Sequence, residues 1–186
     1  MRLYSILKVR KKPRFAEADH RAEKHMTEIT PGAPRVIVFP PLLPLASLGL
    51  AMLLQWLCPL GLLSAVSLPV RLAFGLPLLA AGAGFVIAGQ NALQRNGTNV
   101  LPSRPALALV ETGVFGWTRN PMYVGGSAAL LACALCFALD WLPLLSVTSL
   151  VVLHFGVVRR EEAYLERAFA DRYRQYRARV PRYLGF

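Results

Sequence analysis

Four runs of uncharged, mainly apolar residues divide the chain and set the elements it can form. The first, 36–57, is long enough at 1.5 Å per helical residue to cross a hydrocarbon core of ~30 Å. Pro40, Pro41 and Pro44 crowd its start, which predicts a bent lead-in or a regular helix confined to Leu45 onward. Trp56 near its end suits an interfacial anchor. A Pro- and Gly-bearing connection, 58–70, leads to a second run, 72–89, holding Gly82-Ala83-Gly84. Small residues in membrane helices permit close packing; the rival reading is a bare backbone that makes room for a cofactor. The third run, 122–139, has no charge, and the fourth, 142–158, is interrupted by His154. Asp140-Trp141-Leu142-Pro143 between them predicts a helical hairpin with its turn at the far interface.

The polar segments are as informative. From Gln90 to Pro121 the chain is semi-polar, and a connection of that length is usually functional or disordered. After the fourth run, Leu165, Phe169, Tyr173, Tyr176 and Val180 recur at helical spacing, with arginines and acids on the other faces. That is one stripe of an amphipathic helix over 159–180, able to lie in the headgroup region or to lid the spans. Residues 1–35 form a basic segment; its first fifteen residues lead into polar Glu17-Ala18-Asp19-His20-Arg21 and not into an apolar core with a cleavage site, so a cleaved signal peptide is not expected.

Composition fits this division. Of 186 residues 55% are hydrophobic and 17% charged, with mean hydropathy +0.43, too apolar for an ordinary soluble domain. The expected class is all-α, a polytopic membrane protein with about four transmembrane helices and a C-terminal amphipathic helix. The net charge of +11 interleaved with long uncharged runs suits anionic lipid headgroups and argues against nucleic acid. Nine basic residues precede the first span, three lie between the second and third, and eight follow the fourth, against Arg71 alone on the opposite side. Both termini and the loop 90–121 are therefore expected in the cytoplasm. Cys58, Cys133 and Cys136 read as free, small hydrophobes. No metal site is expected, and oligomeric state is not legible.

Candidate chemistry gathers at Thr118-Arg119-Asn120-Pro121-Met122-Tyr123-Val124-Gly125-Gly126. Proline suits the first turn of a helix, so Pro121 starts the third span. Arg119 and Asn120 then sit at the positive end of that helix, where an anionic ligand group is favoured. The plainer reading is a helix cap with a snorkelling arginine. Glu161-Glu162 at the exit of the fourth span are either ligand groups on the same membrane face or paired surface charges. His154, ionisable and inside a span, is a functional candidate or a buried neutral histidine. Gly113-x-x-Gly116 alone is a weak signal.

The order of these motifs resembles the integral-membrane methyltransferases, the isoprenylcysteine carboxyl methyltransferase and phospholipid N-methyltransferase group. The likeness covers roughly residues 70–183 and rests on Leu109-Val110-Glu111-Thr112-Gly113-Val114-Phe115, Arg119-Asn120-Pro121-Met122-Tyr123-Val124-Gly125, Glu161-Glu162-Ala163-Tyr164-Leu165, Tyr173-x-x-Tyr176 and Val180-Pro181-Arg182. It implies an S-adenosyl-L-methionine site, with 36–186 as the methyltransferase domain and 159–180 as its lid. By that likeness Gly82, Gly84, Gly113, Asn120, Pro121, Met122, Tyr123, Glu161 and Glu162 bind the cofactor, and Arg119, Asn120 and Glu161 take the catalytic roles. Isoprenylcysteine methyltransferases usually have histidine in place of Asn120 and glycine in place of Ala170. The first difference leaves the acceptor open between a carboxylate and a phospholipid-like amine. The second bears on the backbone inside the terminal helix.

The implied reaction is methyl transfer to a lipophilic or membrane-embedded acceptor, in a bacterial inner membrane or the endoplasmic reticulum. Two alternatives stand beside it: a non-catalytic helical scaffold or transport protein, and a nicotinamide-using enzyme similar to the sterol reductases, which are longer.

Overall fold

The computed structural model describes residues 34, 36, 37 and 39–185; the expected basic segment 1–35, apart from Pro34, lies outside the described residues. Every regular element among them is helical. Helix α1, Leu42–Leu57, begins just after Pro40 and Pro41, earlier than Leu45. Pro44 falls in its first turn, where a backbone N–H has no intrahelical partner to lose. Helix α2, Leu68–Arg95, outruns the apolar stretch 72–89 at both ends. Gln90–Arg95, expected as the start of a loop, continue the helix, because apolarity marks where lipid contact stops and not where helical hydrogen bonding does. Gly97, at φ +65°, ends it.

Helix α3, Pro121–Phe137, is antiparallel to α2, and glycines fix how closely the two approach. Gly75, Gly82 and Gly89 recur every seven residues along α2 and face Cys136 and Ala132, then Gly125 and Ala129, then Met122 and Pro121. A Cβ on Gly82 would stand 2.7 Å from the Gly125 carbonyl oxygen and 2.9 Å from the Ala129 nitrogen; one on Gly125 would stand 2.5 Å from the Gly82 oxygen. The two backbones therefore touch. Gly84 points the other way, with nothing within 4 Å.

Ala138, in left-handed conformation at φ 53° and ψ 44°, ends α3 where glycine is usual. The turn that follows is tied down by Asp140. Its carboxylate accepts from the Gly61 N–H at 2.9 Å, the Leu63 N–H at 2.7 Å and the Gln55 amide at 3.1 Å. Burial pushes this carboxyl up, but those donors outweigh it and hold it below its ordinary value. Trp141, expected as an interfacial anchor, donates its indole N–H to the Cys58 carbonyl. Together they fasten the loop 58–67 under the hairpin, beside a core of Ala51, Leu130, Ala134, Leu139 and Leu142.

The fourth span and the terminal helix, expected as separate elements, run on without a loop between them through Leu142–Arg179, with one kink at Ala170. Within this stretch α4, Leu142–Leu153, passes through a π-turn at His154–Val158 into α5, Arg159–Arg179. A π-turn widens the ladder locally, and here the Gly156 carbonyl accepts from the Ile37 N–H at 3.2 Å. Ala170 breaks α5 at φ 44° and ψ −120°. The break lies at the position where the sequence departs from glycine, and it turns the stripe inward. Tyr173, Tyr176 and Val180 pack on Leu109, flanked by Leu165 and Phe169. α2 and Leu142–Arg179 are long and apolar enough to cross a membrane, while α1 and α3 are shorter apolar helices.

Candidate active site

The approach to α3 is shaped by a short turn and by the end of the chain described. Gly113, at φ +64°, opens the 3₁₀ turn Gly113–Gly116, which buries Phe115. Asn120 then occupies the cap position of α3, but its side chain makes no capping bond. Its amide instead donates to the Arg182 carbonyl at 3.0 Å, which also accepts from the Thr118 hydroxyl at 2.8 Å, while the Arg119 N–H donates to the Pro181 carbonyl. Residues 180–183 thus strap the segment 118–120.

The two glutamates have different surroundings. Glu162 is buried, which rules out the reading as paired surface charges. Arg182 grips its carboxylate with two nitrogens at 2.8 and 2.7 Å, and Arg119 Nη1 approaches it at 2.9 Å. The same Arg119 nitrogen donates to the Tyr173 hydroxyl at 3.2 Å. The Arg119 side chain is 8% exposed, and its Nε finds no partner among the described residues. Two guanidiniums on one carboxylate leave a net positive charge here. Glu161, by contrast, accepts from the Tyr123 hydroxyl at 3.1 and 3.2 Å. Burial pushes its carboxyl up to about 7, opposed by the Tyr123 hydrogen bond and reinforced by the Glu162 charge.

These groups line one cavity of about 120 Å³. It is bounded by Arg119, Asn120, Pro121, Met122, Tyr123, Glu161 and Glu162, with apolar walls from Leu109, Val110 and Phe115 and a cover from Tyr164, Tyr173 and Tyr176. The cover is pinned by the Tyr176 hydroxyl on the Phe115 carbonyl, the Ala106 N–H on the Tyr164 hydroxyl, and Glu111 between Arg172 and Arg179. Of the residues singled out in the sequence, Gly82, Gly84 and Gly113 are absent from this lining. His154 also stands apart, with Nδ1 3.0 Å from the Tyr183 hydroxyl.

A second, larger cavity of about 290 Å³ adjoins the first among the helices. Val100, Leu101, Pro102, Met122 and Tyr123 belong to both linings and form the wall between them. Sequence reasoning gave no role to Arg182, which grips Glu162, or to the Thr118 hydroxyl, which holds the Arg182 carbonyl. Val180-Pro181-Arg182 was the available signal, but carbonyl acceptors carry no residue type to read.

The charged cavity lies beside an apolar one in an all-helical protein with two helices long and apolar enough to cross a membrane. Residues 70–172, more than half of the chain, match the family model described as phospholipid methyltransferase, and the chain belongs to that family. Methyl transfer to lipid-like acceptors, in a membrane setting, is the family's activity. No curated protein and no solved structure matches the chain.

Proposed function

We propose that the protein transfers a methyl group from S-adenosyl-L-methionine to a lipophilic acceptor, on the cytoplasmic side of a four-span domain whose termini share that side. The supporting observation is convergence: Arg119 to Tyr123, at and just before the start of α3, and Glu161 and Glu162 of α5, distant in sequence, line one cavity. When bound, the cofactor supplies the electrophile, a methyl on a cationic sulfonium.

The residues present fit that ligand. The buried, unpartnered Nε of Arg119 and the N-terminus of α3 favour its carboxylate. Glu162, held by two guanidiniums, orients Arg119 and leaves the ligand's ammonium or ribose hydroxyls to Glu161. The tyrosine-rich cover, Tyr164, Tyr173 and Tyr176, helps position the ligand, and aligning a nucleophile with the reacting bond is worth roughly 7–11 kcal/mol.

The second cavity favours an amine acceptor over a carboxylate. Among the described residues no Arg, Lys or His lines it, so an acceptor carboxylate would meet no counter-charge. Behind Tyr123 stands Glu161, which can take the proton that an ammonium must lose before its lone pair attacks.

Calorimetry with S-adenosylhomocysteine on purified protein tests the reading. Wild type is expected to bind, and Glu161→Gln to bind at least about tenfold more weakly, a loss of ~1.4 kcal/mol. Absence of binding would refute it; displacement of bound label by a reduced dinucleotide would favour the nicotinamide alternative. Mass spectrometry of lipid extracts for a product one CH₂ heavier then identifies the acceptor.

A further inference from the structure

The second cavity has a shape that the charged site does not explain. On α3 its lining runs from Met122 through Tyr123, Gly126 and Ser127 to Leu130. Eight residue steps at 1.5 Å each make this lined stretch about 12 Å long, and one leaflet's share of a ~30 Å hydrocarbon core is ~15 Å. The cavity lining also includes Pro40, Pro41 and Pro44, which precede or begin α1, and, beside Leu130, Ser149, whose hydroxyl is bonded to that of Ser47. At the Met122–Tyr123 end of this run the lining is shared with the charged cavity. Gly126 stands halfway along it, and a Cβ built there meets nothing within 4 Å. Its neighbour Gly125 is packed against α2 and has no such room.

We propose that this cavity holds one hydrocarbon chain of the lipid acceptor, with the chain tip toward Leu130 and Ser149 and the polar head at Tyr123, and that Gly126 sets the width of the channel. This rests on the methyltransferase reading for the identity of the ligand as acceptor. Its lined stretch corresponds in length to one chain from one leaflet, its walls are apolar, and its continuity with the charged cavity brings only the head end of such a chain to the wall. A second chain of the same lipid stays in the bilayer.

The test is photolabelling of purified, detergent-solubilised full-length protein with a phosphatidylethanolamine bearing a diazirine near the end of one acyl chain. Saturable labelling is expected in the peptides holding Leu130 and Ser149. Dodecyl-chain lysophosphatidylethanolamine or an S-farnesyl cysteine should compete, and whichever competes better identifies an acyl or an isoprenoid source. Gly126→Phe should reduce this labelling at least about tenfold, which is ~1.4 kcal/mol of binding, with Gly126→Ala intermediate. Gly49→Phe, on α1 outside the lining and likewise with nothing within 4 Å, should label as wild type does. S-adenosylhomocysteine binding, measured in each variant, is expected to persist. Labelling that is unsaturable, spread over the lipid-facing helices, or unchanged in Gly126→Phe that still binds S-adenosylhomocysteine would overturn the chain site. If wild type labels as expected yet binds no S-adenosylhomocysteine, the methyltransferase reading fails while the chain site stands. If Gly126→Phe does not fold, the graded loss in Gly126→Ala decides.

Discussion

Replacing Gly82 and Gly84 separately by alanine distinguishes the two uses of a Gly-Ala-Gly run in a membrane helix. Both changes gain the same helix propensity, ~1 kcal/mol, so the difference between the variants isolates what each new methyl meets. At Gly84 it meets open space. At Gly82 it would sit 2.7 Å from the Gly125 oxygen, against 3.4 Å for an ordinary contact, and the obstacle is backbone that cannot rotate aside. The helices must therefore part locally by about 0.7 Å, and overpacking of this kind costs ~1–3 kcal/mol. Gly82→Ala is accordingly expected to be ~1–3 kcal/mol less stable than Gly84→Ala, roughly 5–150-fold in the unfolding equilibrium. The assay is a denaturing-detergent titration in mixed micelles followed by circular dichroism, with S-adenosylhomocysteine affinity measured on the same preparations. Equal stability of the two variants would refute the backbone seam. Weakened cofactor affinity in Gly84→Ala at unchanged stability would instead support the reading in which the glycines make room for a ligand.

Three further outcomes follow from the site and its cover. Ala170→Gly should raise stability by up to ~2 kcal/mol, since strain of ~1–3 kcal/mol at φ 44° is relieved against ~0.5–1 kcal/mol of glycine entropy; thermal unfolding reads it, and Ala170→Val should do the opposite. Glu162→Gln strands Arg119 and Arg182 on a neutral amide, a change that costs ~3–5 kcal/mol when a buried partner is lost, so both unfolding temperature and S-adenosylhomocysteine affinity should fall. Because burial raises the Glu161 carboxyl to about 7, it is largely protonated below that pH and ionised above it. Affinity for S-adenosylhomocysteine should therefore rise as pH climbs through about 7 and level off, and Glu161→Gln should flatten that profile. The same shift has the opposite sign for stability: the folded state holds this proton more tightly, so the group favours folding below the unfolded carboxyl value of 4.5 and loses that contribution as pH rises to about 7.

The helices were legible because lipid contact demands uncharged runs, and the stripe Leu165, Phe169, Tyr173, Tyr176 and Val180 was legible because burial against Leu109 demands one face. Helix ends were less so. Gln90–Arg95 are polar yet helical, and the junction at His154–Val158 continues a helix that hydropathy divides. The segment 118–123 and the glutamate pair were identified as chemistry, but their pairing was not. Which glutamate meets Arg182 depends on how the chain reverses after Ala170, and no local periodicity records that path. Gly82 and Gly84 are the same residue type about half a turn apart, so composition could not say that one touches a backbone and the other faces open space.

The contact between α2 and α3 also has a mechanical meaning. Two backbones in reciprocal close approach form a stiff unit, and that unit supplies one side of the larger cavity through Val86, Gln90, Met122, Gly126 and Leu130. A guest that needs more width must obtain it from the other side, which consists of the prolines ahead of and within the first turn of α1 and of Ser149 and Leu153 on α4. That side is jointed: α4 runs into the π-turn just below Leu153, and the lead-in to α1 is linked to that turn through Ile37 and Gly156. A wider guest is therefore expected to be accommodated on the side where the chain's own helical ladder is interrupted, and not at the seam between α2 and α3.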